Sequence, residues 1–557
     1  LPLTPLQQGI LFHARADEGA YQLELRLRAE GHFDPERFRA AWQQVLARHQ
    51  VLRMAIPPEE SDFAAILSHV ELPFLFEDRR SLKNTTLEEE IHHPWLDQFF
   101  DLAQAPLLRL AIFQVEDRAW EIVLVNHHIT LDGWSLSIVL GDVLKLYRGE
   151  LLPKASPFAD YARWLRGRPQ DMGWWRALLQ DFDTPNRILL PSGKDDGFGE
   201  HTFSLGKDLS ARLISTAQRL GSTSGIVLQT IWALLVARLS NTSDVVFGQV
   251  VSGRPAEFPD IASRVGMFIN TVPVRLKTAG KTLRALVGEL TEQQGARSIH
   301  EADPLPQIQA QAPVPKGTPL FETLFVYENY PLDAGLKENA GQDFVLRNPR
   351  GQEAPHYPLA LAVQPGENFT LQLTYRHSFL ENAARIALWF CNLLEAALSR
   401  CDTPLCELSL LDAVEYEAVT RGFNRTKSPI PRGTTLHGLF EAQVERHPQA
   451  PALLSDEAHL SYAQLNTRAN HIAHQVAEHL SHGEKRIVGI CMERGFDLVA
   501  ALLGVLKAGC AYLPLDPSLP AERLYLMLRD AGAAGVIVGK TSCGRFEDFK
   551  ELVLDEA

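Results

Sequence analysis

The apolar run Ile122-Val123-Leu124-Val125 has no polar alternation, which predicts a strand buried on both faces. It ends in Asn126-His127-His128. After Ile129-Thr130-Leu131 come Asp132 and Gly133, and Trp134-Ser135-Leu136-Ser137-Ile138-Val139-Leu140 then resumes with a spacing that predicts a helix. Strand, short turn and helix therefore follow one another, with polar side chains at the strand's end, where sites are commonly built.

Other segments give equally local signals. Asp34-Pro35-Glu36 predicts a capped helix start, with Phe38, Trp42, Val45, Leu46 and His49 as the buried stripe. Thr4 and Pro5 predict the start of another short helix. Ile226 to Leu239 is the most apolar helical stretch, but it contains Gln229 and Thr230 and is too short to span a bilayer. Val245 to Val251 reads as a strand running into Ser252-Gly253-Arg254-Pro255. Prolines and glutamines between 295 and 320 predict a loop-rich crossing, and Asn424, Thr426, Ser428, Pro429 and Pro431 mark 411–435 as a linker. Leu436-His437-Gly438-Leu439-Phe440-Glu441 then opens a separate unit.

Two adjacent histidines raise the question of chemistry. A histidine beside an apolar run is usually a hydrogen-bonded core residue. A metal site is the other obvious reading, but successive strand side chains point to opposite faces, so His127 and His128 cannot both turn to one ion while the strand stays regular. The alternation favours one histidine facing a cavity while the other packs, with Asp132 free to accept a hydrogen bond or pair with a cation.

Composition excludes some classes. The 557 residues suffice for roughly three or four packed units. A hydrophobic share of 45% with 22% charged residues is that of an ordinary globular protein. The net charge of −14 argues against a nucleic-acid partner, since phosphate neutralisation needs a basic surface. All six cysteines, Cys391 to Cys543, lie in the last third without a CxxC pair, which predicts reduced thiols and a cytoplasmic protein; no membrane segment is visible. The chain opens on Leu1-Pro2-Leu3 without an initiator Met or a basic leader, so it reads as a piece of something longer.

The pattern His127-His128-x-x-x-Asp132-Gly133 resembles the signature of condensation domains of non-ribosomal peptide synthetases. Further segments in the same order resemble that family: Leu3 to His13, Arg48-His49-Gln50-Val51-Leu52-Arg53, Phe158 to Trp164, Val265 to Arg275, and Pro319 to Asn329. The likeness covers about residues 1–410. It implies an α/β (α+β) fold of the two-lobed chloramphenicol-acetyltransferase type, with lobes at 1–165 and 166–410 and a tunnel between them. Beyond the linker, Leu460 to Leu465 and Leu506 to Pro517 are similar to the first motifs of adenylation domains, so 436–557 is expected to be a truncated adenylation domain with a partial α/β subdomain.

The resemblance implies an amide-forming acyltransferase: the amine of one carrier-bound aminoacyl group attacks the thioester on another carrier. Its partners would be upstream donor and downstream acceptor peptidyl carrier domains and the adjacent adenylation domain. Substrates would arrive on 4'-phosphopantetheine arms, with no cofactor held by the condensation domain itself. Carried over by position, His128 is the base or positioning group and His127 its packed neighbour. Asp132 holds the loop by pairing with an arginine, with Arg53 the candidate and Arg48 the reserve. Gly133 leaves room for the arm and offers a backbone N–H; Trp134, Ser135 and Asn270 are candidate substrate contacts. No metal is implied there. ATP and magnesium would serve only a complete adenylation domain, since 436–557 contains no Gly-rich Ser/Thr loop for phosphates, and that fragment is expected to be inactive alone. An epimerisation domain shares the motif, and docking modules of this fold tend to lose its second histidine. Leu3 to His13 and Asp132 to Leu136 look more like condensation domains that take a D-configured donor than like the commoner L-donor type, whose opening usually carries Ala-Gln-x-Arg.

Overall fold

The computed structural model describes residues 1–554 except 17, 18, 20, 60, 61, 81–92, 170, 189, 191, 192, 194, 196, 329–342, 353–356, 430–432, 457 and 480–485. The chain divides into two units, Leu1–Gly422 and Phe423–Ala557.

In the first unit α1 (Pro5–Ala16), β1 (Gln22–Gly31) and α2 (Pro35–Arg48) lead to β2 (Phe74–Asp78), β3 (Leu108–Glu116) and β4 (Ala119–His127). Asp34 caps α2 by accepting from the N–H groups of Glu36 and Arg37, and Phe38, Trp42, Val45 and Leu46 are buried. The apolar run at 122–125 is the centre of β4, whose nine residues are all buried. Ile122 and Leu124 join the main core with α1 and α2, while Val123 and Val125 face a second cluster with Leu96, Ala111 and Phe113. Burial on both faces explains the absence of alternation. β4 pairs antiparallel with β1 and β3, and β2 lies parallel on the far side of β3. The chain leaves β4 through a turn into α3 (Gly133–Tyr147), and α4 (Phe158–Arg166) follows.

A six-stranded sheet organises the rest of this unit. Its strands are β5 (Phe198–Ser204), β6 (Asp244–Val251), β7 (Asn270–Lys277) and β8 (Thr323–Tyr327), joined later by two more; α5 (Gly206–Arg219), α6 (Ser224–Leu239) and α7 (Leu283–Arg297) connect them. Of the family-like segment Pro319 to Asn329, Asn329 lies outside the described residues. The next strand, β9 (Phe344–Gln352), pairs with β1 of the first sheet, after which β10 (Leu359–Gln364), β11 (Thr370–Arg376) and α8 (Ala384–Ser399) complete the second. A division into lobes at 165/166 therefore needs correcting: 344–352 returns to the first sheet, where Phe344 and Leu346 enter its core.

The stretch read as a linker from 411 begins as a helix, Ala413–Glu417, and Trp389 donates to Glu415 at 2.9 Å. Its start thus packs on the first unit, which runs to Gly422. No single helix among the described residues is long and apolar enough to cross a membrane; α5 and α6 pass only as a pair bent by 103°, and almost all of α6 is buried.

The second unit carries a parallel four-stranded sheet in the order Ala511–Leu515, Ile487–Cys491, Gly535–Gly539, Glu551–Leu554. Parallel strands need crossovers, which Phe496–Lys507 and Ala521–Asp530 supply. The Lys507 ammonium donates to Glu441, Asn466 and Asn470, fastening three helices together.

Candidate active site

The turn between β4 and α3 fixes its two histidines in opposite tautomers. His128 Nδ1 lies 2.6 Å from the carbonyl of Leu131. A carbonyl can only accept, so Nδ1 carries the proton, and in the neutral ring Nε2 holds the lone pair. At His127 the relation is reversed: Nδ1 accepts from the N–H of Ile129 at 3.2 Å, which puts the proton on Nε2. His127 is buried edge-on to Phe100, whose other neighbour is the Arg109 guanidinium at 4.2 Å. The backbone N–H of His128 donates to Tyr21 O at 2.8 Å, continuing the ladder one residue beyond β4.

Burial pushes the His127 imidazole down to about 4, with His128 adding to the effect. The neutral ring is therefore the form the fold accommodates. Because the folded value lies below the unfolded one near 6.5, stability is fully present above about pH 6.5 and falls as pH drops towards 4, by about 3 kcal/mol in all. In chemical denaturation between about pH 7 and about pH 4.5, His127→Gln should remove this part of the acid slope. An unchanged slope in the variant would mean that His127 is not its source.

Asp132 closes the turn. Its side chain is 0% exposed. Oδ1 accepts from the N–H of Ser135 at 2.7 Å and from Arg254 Nη2 at 3.3 Å, and Oδ2 accepts from the N–H of Phe268 at 3.0 Å. The carboxylate thus caps α3 and binds the loop between β6 and β7. Arg254, 4% exposed, also donates to Ser135 Oγ and to the carbonyls of Ile261 and Arg264, and lies over the Phe268 ring at 4.0 Å. Gly253 lets this loop close: its φ is +59°, and a Cβ there would stand 1.7 Å from Phe268 O.

The arginine expected from sequence is a different one. Arg53 donates instead to the carbonyls of Leu46, Leu67 and Ser68, and Arg48 pairs with Asp142 of α3 at 2.9 Å, where His49 meets the same oxygen. Both are engaged away from Asp132. Arg254 was visible as a cation after a glycine at a strand's end, 122 residues from Asp132, but nothing local distinguished it.

Two of the three candidate substrate contacts have their side-chain donors engaged within the fold. Ser135 is fully buried and its hydroxyl is used up: it donates to Gly266 O at 2.8 Å and accepts from Gly266 N–H and from Arg254. The Asn270 amide donates to the carbonyls of Glu301 and Asp303, both at 2.8 Å, which ties β7 to the loop after α7. Trp134 spends its N–H on Ala262 O at 3.0 Å, leaving a half-buried ring surface. Gly133 is the first residue of α3, at the end whose N–H groups point out of the helix. Among the described residues no cluster of three or more His, Cys, Asp or Glu could hold a metal ion.

A family model for condensation domains matches residues 1–420, three-quarters of the chain. The chain belongs to the condensation-domain family. A second model, AMP-binding enzyme, matches 440–556 behind the condensation domain. A linear gramicidin synthase of Brevibacillus parabrevis is 34% identical over 564 residues, covering 96% of this chain and 11% of that protein. The chain thus spans about a tenth of that relative's length. Among solved structures, the four-domain non-ribosomal peptide synthetase holo-AB3403, bound to AMP and glycine, aligns over 99% of this chain and 44% of its own, with a TM-score of 0.78 at 21% identity. The condensation domain from the Monacolin K polyketide synthase MokA aligns over 72% of this chain and 98% of its own, with a TM-score of 0.62 at 18% identity. These likenesses place the fold in the same class.

Proposed function

We propose that the condensation domain joins a donor aminoacyl or peptidyl thioester to the amine of an acceptor aminoacyl thioester, both presented on the phosphopantetheine arms of carrier domains. The observation that carries this reading is the tautomer of His128, whose Nε2 lone pair stands at the end of β4 while Leu131 O holds Nδ1–H. A free α-amine has a pKa near 7.7 to 8.0, so a fraction of it is already neutral at physiological pH. Attack forms the C–N bond and leaves a proton on the adduct nitrogen. His128 Nε2 accepts that proton, or orients the amine by the same hydrogen bond, and the C–S bond breaks with the thiol as leaving group. The backbone N–H of Gly133, the first residue of α3, is the donor that can meet the thioester oxygen as negative charge develops on it.

Carrier domains on the donor and acceptor sides and the adjoining adenylation domain are the partners this chemistry requires, with ATP and magnesium used by the complete adenylation domain. The cytoplasm suits such a protein, whose six cysteines are free thiols. Two separately loaded carrier proteins mixed with this chain should yield a dipeptidyl thioester by mass spectrometry; absence of product from any loaded pair, with the chain folded, would end the proposal.

The donor's configuration is expected to be D. Selection would come from a wall near His128 that accepts one Cα substituent direction and clashes with the other, a discrimination of about 1–3 kcal/mol. Two donor carriers differing only in that configuration test it, and equal or faster transfer from the L-form would refute it.

A further inference from the structure

Gln7 lies on α1, is completely buried, and spends every polar group it has. Its backbone N–H donates to Thr4 Oγ1 at 3.3 Å, its Oε1 accepts from the Thr4 N–H at 3.0 Å, and its Nε2 donates to the carbonyl of Ile129 at 2.8 Å. The Thr4 N–H can only donate and the Ile129 carbonyl can only accept, so the orientation of the amide is determined by its partners. The first two bonds are a capping box, a local device that starts the helix. The third reaches across 122 residues to the turn that carries His128, and contributes nothing to starting α1.

That turn is held group by group. His128 N–H is taken by Tyr21 O, Thr130 N–H and hydroxyl by His127 O, Asp132 N–H by Gly266 O, and Leu131 O by His128 Nδ1. Ile129 O is taken by Gln7, and Ile129 is 0% exposed, so its carbonyl has no solvent to turn to. Without that donor the peptide unit after Ile129 would rotate to find a partner. Leu131 O, two residues on, would be carried off the His128 ring.

We infer that Gln7 is a positioning residue for His128, keeping the turn in the one arrangement in which Leu131 O holds the proton on Nδ1 and Nε2 stays aimed at the reacting amine. The inference rests on the proposed role of His128. It also gives the first family-like segment of the chain a task at the site.

Gln7→Met and Thr4→Ala separate positioning from capping, since both weaken the capping box and only the first removes the donor from Ile129. In transfer between two loaded carriers, Gln7→Met should lower kcat about ten- to hundredfold with carrier KM little changed, as a displaced reacting group does. Thr4→Ala should stay within about threefold of wild type at a temperature where both variants are folded. Equal losses in the two variants, a change in KM alone, or wild-type kcat in Gln7→Met would overturn the inference. If Gln7→Met does not fold, Gln7→Glu carries the same test. Glutamate keeps the acceptor for Thr4, and its rate relative to wild type should climb from about pH 9 to about pH 6 as the carboxyl gains the proton that Ile129 O needs. A flat ratio would overturn the inference. His128→Ala in the same assay keeps the two proposals apart: wild-type transfer there defeats the site reading, whereas an inactive His128→Ala beside an unaffected Gln7→Met defeats only the role of Gln7.

Discussion

His128→Ala should lose peptide transfer by roughly a hundred- to ten-thousandfold while it stays folded, destabilised by no more than about 1–3 kcal/mol. The chemical side of this expectation follows from the tautomer. With Nδ1–H on Leu131 O, the ring presents a lone pair at Nε2, and no other side chain of the turn does so, because His127 Nδ1 is occupied by Ile129 N–H and Asp132 is bonded through both oxygens. The structural side follows from what alanine removes. Alanine leaves Leu131 O, on a residue only 2% exposed, without its donor, which costs about 1–3 kcal/mol, whereas the backbone bonds of residues 128 to 132 do not include the ring. Transfer between loaded carriers and urea denaturation on the same preparations check both halves. Near wild-type transfer would sink the role, and an inactive variant that is also unfolded would move His128 from chemistry to structure.

Asp132→Ala is expected to be the most destabilising single change in the site, by about 3–5 kcal/mol, because it leaves a buried guanidinium without its counter-charge. The loss has three parts: the cap on α3 at Ser135 N–H, the anchor on Phe268 N–H, and the charge partner of Arg254. At 3.3 Å the ion pair is the longest of these bonds, and the backbone N–H bonds at 2.7 and 3.0 Å are the better made. Asp132→Asn should therefore retain more stability than Asp132→Ala, since an amide oxygen still accepts from one N–H. A double-mutant cycle with Arg254→Met would apportion the pair. If Asp132→Ala unfolds within about 1 kcal/mol of wild type, the carboxylate is not the anchor described.

Much of the site's local form was legible in the residues. The run Ile122 to Val125 required a doubly buried strand, and strand alternation alone put His127 and His128 on opposite sides. In the structure His127 shares the face of Val123 and Val125, against Phe100, while His128 turns to Leu131 O. Asp34 before Pro35 marked the start of α2 because capping is a matter of adjacent residues. The choice among arginines was of another kind. Arg48, Arg53 and Arg254 are chemically equivalent candidates for Asp132, and the engagement of Arg48 by Asp142 and of Arg53 by four carbonyls depends on elements that meet only in the folded chain.

Hydrophobic period, cap residues and the spacing of His127, His128, Asp132 and Gly133 are properties of neighbours in the chain. By themselves they determined the strand, turn and helix that carry the site, and the family to which the chain belongs. Tertiary structure decided what lies far apart in sequence: Arg254 on Asp132, Gln7 on Ile129, and β9 returning to pair with β1. The first two contacts each join residues 122 apart, the strand pairing spans more than twice that distance, and no local preference encodes a partner so remote. The physical reason is that a buried donor or acceptor must be satisfied by whichever group the packing brings to it, and packing is settled by the whole core at once.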